Sequence, residues 1–144
     1  MRTAVFALTE AGAQLARRVG LALGDQASLF VSSRHATLGA QTFGRLREAV
    51  QENFHRYDAL VFIMAAGIAV RSIAPYLVSK LEDPAVVVLD EQGRHVISLL
   101  SGHVGGANRL TRALAAALGA EPVITTATDV EGLGAPDALA AELG

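Results

Sequence analysis

The sequence predicts an α/β domain with a mainly parallel sheet, and three observations carry that prediction. Apolar runs of strand length alternate with stretches of helical period along most of the chain. One run, residues 58–64, is almost entirely apolar, as expected for a central parallel strand covered on both faces. Turn residues at Gly24-Asp25, Asp83-Pro84 and Glu91-Gln92-Gly93 separate the segments at short intervals. Such an alternation folds as a three-layer, Rossmann-like sandwich with helices on both sides of the sheet.

The elements follow in order. Residues 3–8 form a strand, and Thr9 or Glu10 opens a helix to about residue 23. Ala11, Leu15, Val19 and Leu23 recur on that helix every four residues, with Arg17 and Arg18 off the stripe. A short strand over 28–32 precedes a polar stretch, 33–41. The spacing of Phe43, Leu46, Val50 and Phe54 then predicts a helix from about residue 42. After the central strand, Ala65-Ala66-Gly67 breaks the run, and residues 68–77 are helical with Pro75 disturbing the last turns. Residues 85–90 are a strand, and 95–99 return antiparallel after a tight turn. A strongly patterned helix over 104–118 carries Val104, Ala107, Leu110, Leu114 and Leu118 on one side. Gly119 ends it before a last strand, 122–125.

Composition narrows the class. The 144 residues suit one domain, and 51% hydrophobic with 18% charged residues argues against disorder. The mean hydropathy is +0.38, yet the longest apolar segment, 59–70, contains Gly67 and is bounded by Asp58 and Arg71. That is shorter than the roughly 18 apolar residues a membrane span needs. A net charge of −2, from 12 basic and 14 acidic residues, offers no basic excess for nucleic acid. There is no cysteine, so disulfides and thiolate metal sites are excluded. The N-terminus reads as a first strand rather than a signal peptide, and the expected location is the cytoplasm.

Open α/β sheets bind ligands beyond the carboxyl ends of their strands, and three unusual segments are expected there. In Met64-Ala65-Ala66-Gly67-Ile68-Ala69-Val70-Arg71, small residues bring backbone close to a ligand, and a helix opening at Gly67 offers N–H groups to an anion. Alternatively, Gly67 merely permits the turn and Arg71 is solvated. In Ser101-Gly102-His103-Val104-Gly105-Gly106-Ala107-Asn108, three glycines crowd a helix start, although each glycine inside a helix costs about 1 kcal/mol relative to alanine. Either a ligand or a packed neighbouring element therefore approaches that backbone. Ser101 can cap the helix. His103 beside a helix N-terminus is held toward its neutral form, able to act as a base, although a lone histidine is more often structural. The third segment, Thr125-Thr126-Ala127-Thr128-Asp129, is a run of hydroxyls that can bind oxyanions or simply form a turn.

Other motifs are missing. His35, His55 and His95 have no metal-ligand spacing, so no metal site is expected. Neither GxGxxG after the first strand, nor GxxxxGK[ST], nor GxSxG is present, which argues against dinucleotide, nucleoside triphosphate and hydrolase-elbow sites. Glu82, Asp83, Asp90 and Glu91 fit solvated turns better than an acid/base pair.

At these segments the chain resembles the CbiG family of cobalamin-biosynthesis proteins. The resemblance runs through residues 64–71, Ala74-Pro75, Lys80, 83–88, 90–93, 98–108 and 122–129. The glycine-histidine block together with the threonine block makes it specific, whereas residues 1–60 fit only loosely. The resemblance implies a domain over 1–129, with 130–144 the start of a linking region or a C-terminal tail. It implies an enzyme that opens the lactone of cobalt-precorrin-5A and expels acetaldehyde, giving cobalt-precorrin-5B. That chemistry needs water at an ester carbonyl, donors for the oxyanion and a base for the retro-aldol step.

On this resemblance His103 is the base or water-positioner. Ser101, the backbone around Gly105 and Gly106, and Asn108 are donors, and Gly102 belongs to the substrate-binding set. Arg71, Lys80 and Arg109 meet substrate carboxylates. Gly67, Thr125, Thr126, Thr128 and Asp129 complete the binding set. No cofactor is expected beyond the cobalt that the corrinoid substrate carries. Family members continue with a C-terminal domain, so the chain is expected to be a natural truncation, half of a split protein or an excised piece. Its partners would be that domain or a second copy. Two other readings stand beside the enzyme: a non-catalytic module gripping the macrocycle or a partner, and a phosphate- or nucleotide-binding domain using residues 102–106.

Overall fold

The computed structural model describes residues 1–37 and 39–127. Strand β1 (Thr3–Ala7) leads into helix α1 (Glu10–Leu23), whose N-cap Thr9 accepts a 3.0 Å hydrogen bond from the Gly12 N–H. Then come β2 (Ala27–Ser32), β3 (Ala40–Phe43), α2 (Leu46–Asn53) and β4 (Ala59–Ile63). The second half holds α3 (Ala66–Ile73), β5 (Ala85–Leu89), β6 (His95–Leu100), α4 (Ala107–Leu118) and β7 (Glu121–Val123). A 3-10 turn, Ala74–Tyr76, ends α3 with Pro75 in its first turn, where the missing N–H of proline costs nothing.

The seven strands lie in the order β3-β2-β1-β4-β5-β6-β7. The pairs from β3 through β5 are parallel, β6 runs antiparallel to β5, and β7 is parallel to β6. Helices α1 and α4 bury one face over Val5, Val61, Val87 and Val96. Helices α2 and α3 cover the other, over Phe6, Phe30, Leu60, Phe62 and Val88, where Ile97 and Leu99 of β6 stay half-buried. Phe30, Phe6 and Phe62 stack across three neighbouring strands at 5.1 Å per pair. Each pair adds about 0.5–1.5 kcal/mol beyond its burial. The layers are those the alternation of segments predicts.

Three elements differ from the sequence reading. Residues 40–43 form an edge strand rather than the start of a helix. Gln41 and Thr42 are exposed there, so the run lacks the apolar alternation that betrays a strand. Helix α4 begins at Ala107 instead of residue 104, which leaves Val104 60% exposed in a loop rather than on the apolar stripe and takes His103 off the helix start where the sequence reading put it. Asp83, read as part of a solvated turn, is buried. Its carboxylate accepts from the Val78 N–H at 2.9 and 3.2 Å and closes the 77–84 loop.

Candidate functional site

The reversed direction of β6 decides where the candidate residues go. Leu100 at the end of β6 pairs with Val86 near the start of β5, so the loop after β6 emerges at the amino edge of the parallel strands. β7 runs with β6 and delivers Thr125 and Thr126 to the same edge. Lys80 belongs to it too, on the exposed loop entering β5. Gly67 and Arg71 follow β4 and lie at the opposite, carboxyl edge. The expectation that all three segments lie beyond the carboxyl ends of the sheet fails for two of them, because β6 and β7 run against the other strands, and the predicted residues form two groups rather than one. Thr128 and Asp129, and the proposed boundary between 129 and 130, lie outside the described residues.

At the amino edge, the loop over 101–106 is fixed from within. Ser101 takes a left-handed conformation (φ 60°), an uncommon and costly choice for a residue with a side chain. Its hydroxyl donates to the Asp83 carbonyl at 3.4 Å, and its own carbonyl accepts from the Ala107 N–H at 3.0 Å. The Gly102 carbonyl accepts from the Asn108 N–H at 3.0 Å. Loop carbonyls therefore cap α4, and the Ser101 side chain does not. Gly106 is the N-cap residue, left-handed at φ 87°, so neither it nor Gly105 lies inside the helix.

The glycines have neighbours that explain them. A β-carbon on Gly105 would sit 2.5 Å from Ser101 Cβ and 2.9 Å from its carbonyl oxygen. One on Gly102 would meet the Asn108 carboxamide at 2.9 Å. Of the two causes the sequence left open, a packed neighbour accounts for these close approaches. Asn108, buried at the start of α4, accepts from the Ser98 hydroxyl at 2.6 Å and donates to Thr126 Oγ1 at 3.1 Å. This chain of contacts ties β6, α4 and the segment after β7 together. His103, in the 101–106 loop, is half-buried, with its Nε2 atom shielded from solvent. The N–H groups of Gly105 and Gly106 donate to no acceptor among the described residues. Arg109 is exposed nearby on the first turn of α4.

Apolar side chains surround this edge. Leu77, Val78, Leu81 and Val104, from 43% to 72% exposed, lie on its two loops, and Met1 reaches Gly106. Sequence reasoning missed the roles of Asp83 and Ser98. Each acts on a residue 18 or 10 positions away, across strands whose pairing only the fold supplies.

The carboxyl edge is different in kind. A cleft of about 530 Å³ opens between α2 and α3, lined by Arg45, Leu46, Arg47, Ile68, Arg71, Ser72, Pro75 and Tyr76. Arg71 folds back along its helix, its Nη1 3.3 Å from where a Gly67 β-carbon would lie. Arg45 and Arg47 were not singled out by the sequence, because their nearness to Arg71 depends on α2 packing against α3. Among the described residues, no three His, Cys, Asp or Glu side chains are grouped to hold a metal ion. No helix among them is long and apolar enough to cross a membrane.

Comparison with known proteins adds relatives to this geometry. The model of the family described as cobalamin synthesis G N-terminal matches residues 48–129. A cobalt-precorrin-5A hydrolase from Salmonella typhimurium is 52% identical over 97% of this chain and 40% of its own length. Another from Priestia megaterium is 46% identical over 89% of this chain and 36% of its own. The chain thus spans well under half the length of these relatives. The crystal structure of a cobalamin biosynthesis protein G homolog from Sulfolobus solfataricus aligns with a TM-score of 0.68 at 27% identity. That alignment covers 89% of this chain and 38% of the other.

Proposed function

Because the chain belongs to the cobalamin synthesis G N-terminal family, we propose that it supplies the reacting groups of a cobalt-precorrin-5A hydrolase at its amino edge. The reaction consumes one water. Water oxygen bonds to the lactone carbonyl carbon, the acyl C–O bond breaks, and a proton passes to the released alkoxide. Deprotonating that hydroxyl then cleaves the adjacent C–C bond. Acetaldehyde leaves, and the macrocycle keeps the electron pair and takes up a proton.

Within that scheme the His103 imidazole is the base. The Gly105 and Gly106 N–H groups are the oxyanion donors, two and three residues after it. Ser101 and Asn108 hold the loop in shape through the bonds to Asp83, Ser98 and Thr126. Lys80, Arg109 and the Thr125–Thr126 hydroxyls face the carboxylate-bearing rim of the corrinoid. The single observation that carries the reading is the pair of half-buried glycine N–H groups with no acceptor among the described residues. Cobalt enters with the substrate, and the reading assigns the protein no cofactor of its own. It places the reaction in the cytoplasm.

The same edge is where a partner belongs. Exposed Leu77, Val78, Leu81 and Val104 support a covered surface, and the matched relatives are more than twice as long as the aligned region. The partner in this reading is the C-terminal region of such a relative, with a second copy as the other candidate. The test is acetaldehyde release from cobalt-precorrin-5A, by the chain alone and with the remaining region of the Salmonella typhimurium relative added. Release in either mixture is the expected result. No release in both would overturn the reading.

A further inference from the structure

We propose that the cleft between α2 and α3 is a second site, one that binds a ligand carrying at least two carboxylates against an apolar floor. Three guanidinium groups, from Arg45, Arg47 and Arg71, line it, with Ile68, Pro75 and Tyr76 between them. None of the three is ion-paired among the described residues. The two carboxylates of α2, Glu48 and Glu52, line the neighbouring hollow with Arg45 instead.

The backbone sharpens the charge imbalance. Both helices begin at this edge, and a helix start is its positive end, which favours anions and disfavours cations. Yet Arg45 is the N-cap residue of α2 and Arg47 lies in its first turn, while Arg71, from the last turn of α3, reaches back toward Gly67. Neither helix has a side-chain cap. The Ala66 and Gly67 N–H groups donate to no acceptor among the described residues. Arg45 and Arg47 at the positive start of α2 do not stabilise the empty fold. They suit a bound anion, and the planar fork of arginine matches a carboxylate in two-point contact. The ring of Tyr76 and the faces of Ile68 and Pro75 receive the carbon body.

Two sources share this chemistry: the carboxylate rim of a macrocycle, and a small free polycarboxylate. The inference does not need the hydrolase reading, and acetaldehyde release is a separate measurement, so either can fail alone. The test is calorimetric titration of the 144-residue chain at low salt with tricarballylate and with uroporphyrin I. At least one probe is expected to bind saturably. Arg71→Ala and the Arg45→Ala/Arg47→Ala pair should each weaken it by about tenfold or more. Arg18→Ala and Arg94→Ala, charge-matched changes elsewhere, should leave it unchanged. Arg71→Ala should also keep or raise the melting temperature, where a structural arginine would lower it. Binding of tricarballylate identifies a small polycarboxylate as a sufficient ligand, and binding of uroporphyrin alone identifies a macrocycle rim. Binding of neither probe, or binding that the arginine variants do not weaken, overturns the proposal.

Discussion

The two edges of the sheet solve opposite problems. At the amino edge the 101–106 loop is over-determined: a left-handed serine, glycines pressed against side chains, and an asparagine bonded on both sides of its carboxamide. At the carboxyl edge three arginines line one cleft, and none of them is ion-paired among the described residues. The first is a preorganised shape, in which each bond fixes the next. The second is a poised charge, in which the empty state is electrostatically unfavourable and a ligand relieves it. A rigid loop suits groups that must hold their places while charge develops on a reacting atom. An uncompensated cleft suits holding on to an anion.

The largest effect should come from the imidazole. Replacing His103 by alanine removes the proposed base and should slow acetaldehyde release by about 10²–10⁴-fold. A circular dichroism spectrum and melting temperature close to those of the parent would show that the loop is intact. Turnover near the parent rate would remove His103 from the chemistry and leave the amino edge as shape alone. Gly105→Ala attacks that shape instead. With Ser101 Cβ and carbonyl oxygen in the way, the backbone must move, at a cost of about 2–3 kcal/mol in unfolding free energy. Denaturant titration reads it directly, and a stability equal to the parent would mean that the loop is far softer than its contacts imply.

Much of this architecture was legible because it is local. Helix periods, turn residues and the apolar run of β4 gave the layers, and Pro75 marked the irregular end of α3. Edge strand β3 escaped because Gln41 and Thr42 face solvent, and the start of α4 was set too early because Val104 continues the spacing of a helix it does not join. The glycine-histidine segment was visible as a cluster, and so was the candidacy of Gly67 and Arg71. Their separation was not visible. It follows from β6 turning back antiparallel, so that segments which each follow a strand exit at opposite ends of the sheet. The same holds for Asp83, Ser98, Arg45 and Arg47, whose contacts are made across elements and leave no periodic trace.

A smaller effect separates the network from its parts. Asn108→Ala removes the acceptor for Ser98 and the donor to Thr126 in a buried position. The expected loss is about 1–2 kcal/mol, chiefly from the Ser98 hydroxyl left without its acceptor. Pairing the change with Ser98→Ala should recover part of that loss, because both members of the bond are then gone. Strictly additive losses in the double-mutant cycle would show that the two side chains do not act together and that the amino edge is less coupled than drawn.

The smallest change has the opposite sign, and it tests the other half of the comparison. Gly67 has no left-handed backbone requirement, and among the described residues the only near neighbour for an added β-carbon is the flexible tip of Arg71. Alanine is the better helix former, so Gly67→Ala should stabilise the fold by roughly 0.5 kcal/mol, read as a slightly higher denaturant midpoint. The added methyl displaces the Arg71 guanidinium from the helix start, so tricarballylate or uroporphyrin binding should weaken even as stability rises. A glycine at a position where alanine is more stable is then explained by the ligand rather than the fold. If Gly67→Ala instead destabilises the protein, the carboxyl edge is packed as tightly as the amino edge, and the contrast between a fixed loop and an open cleft is lost.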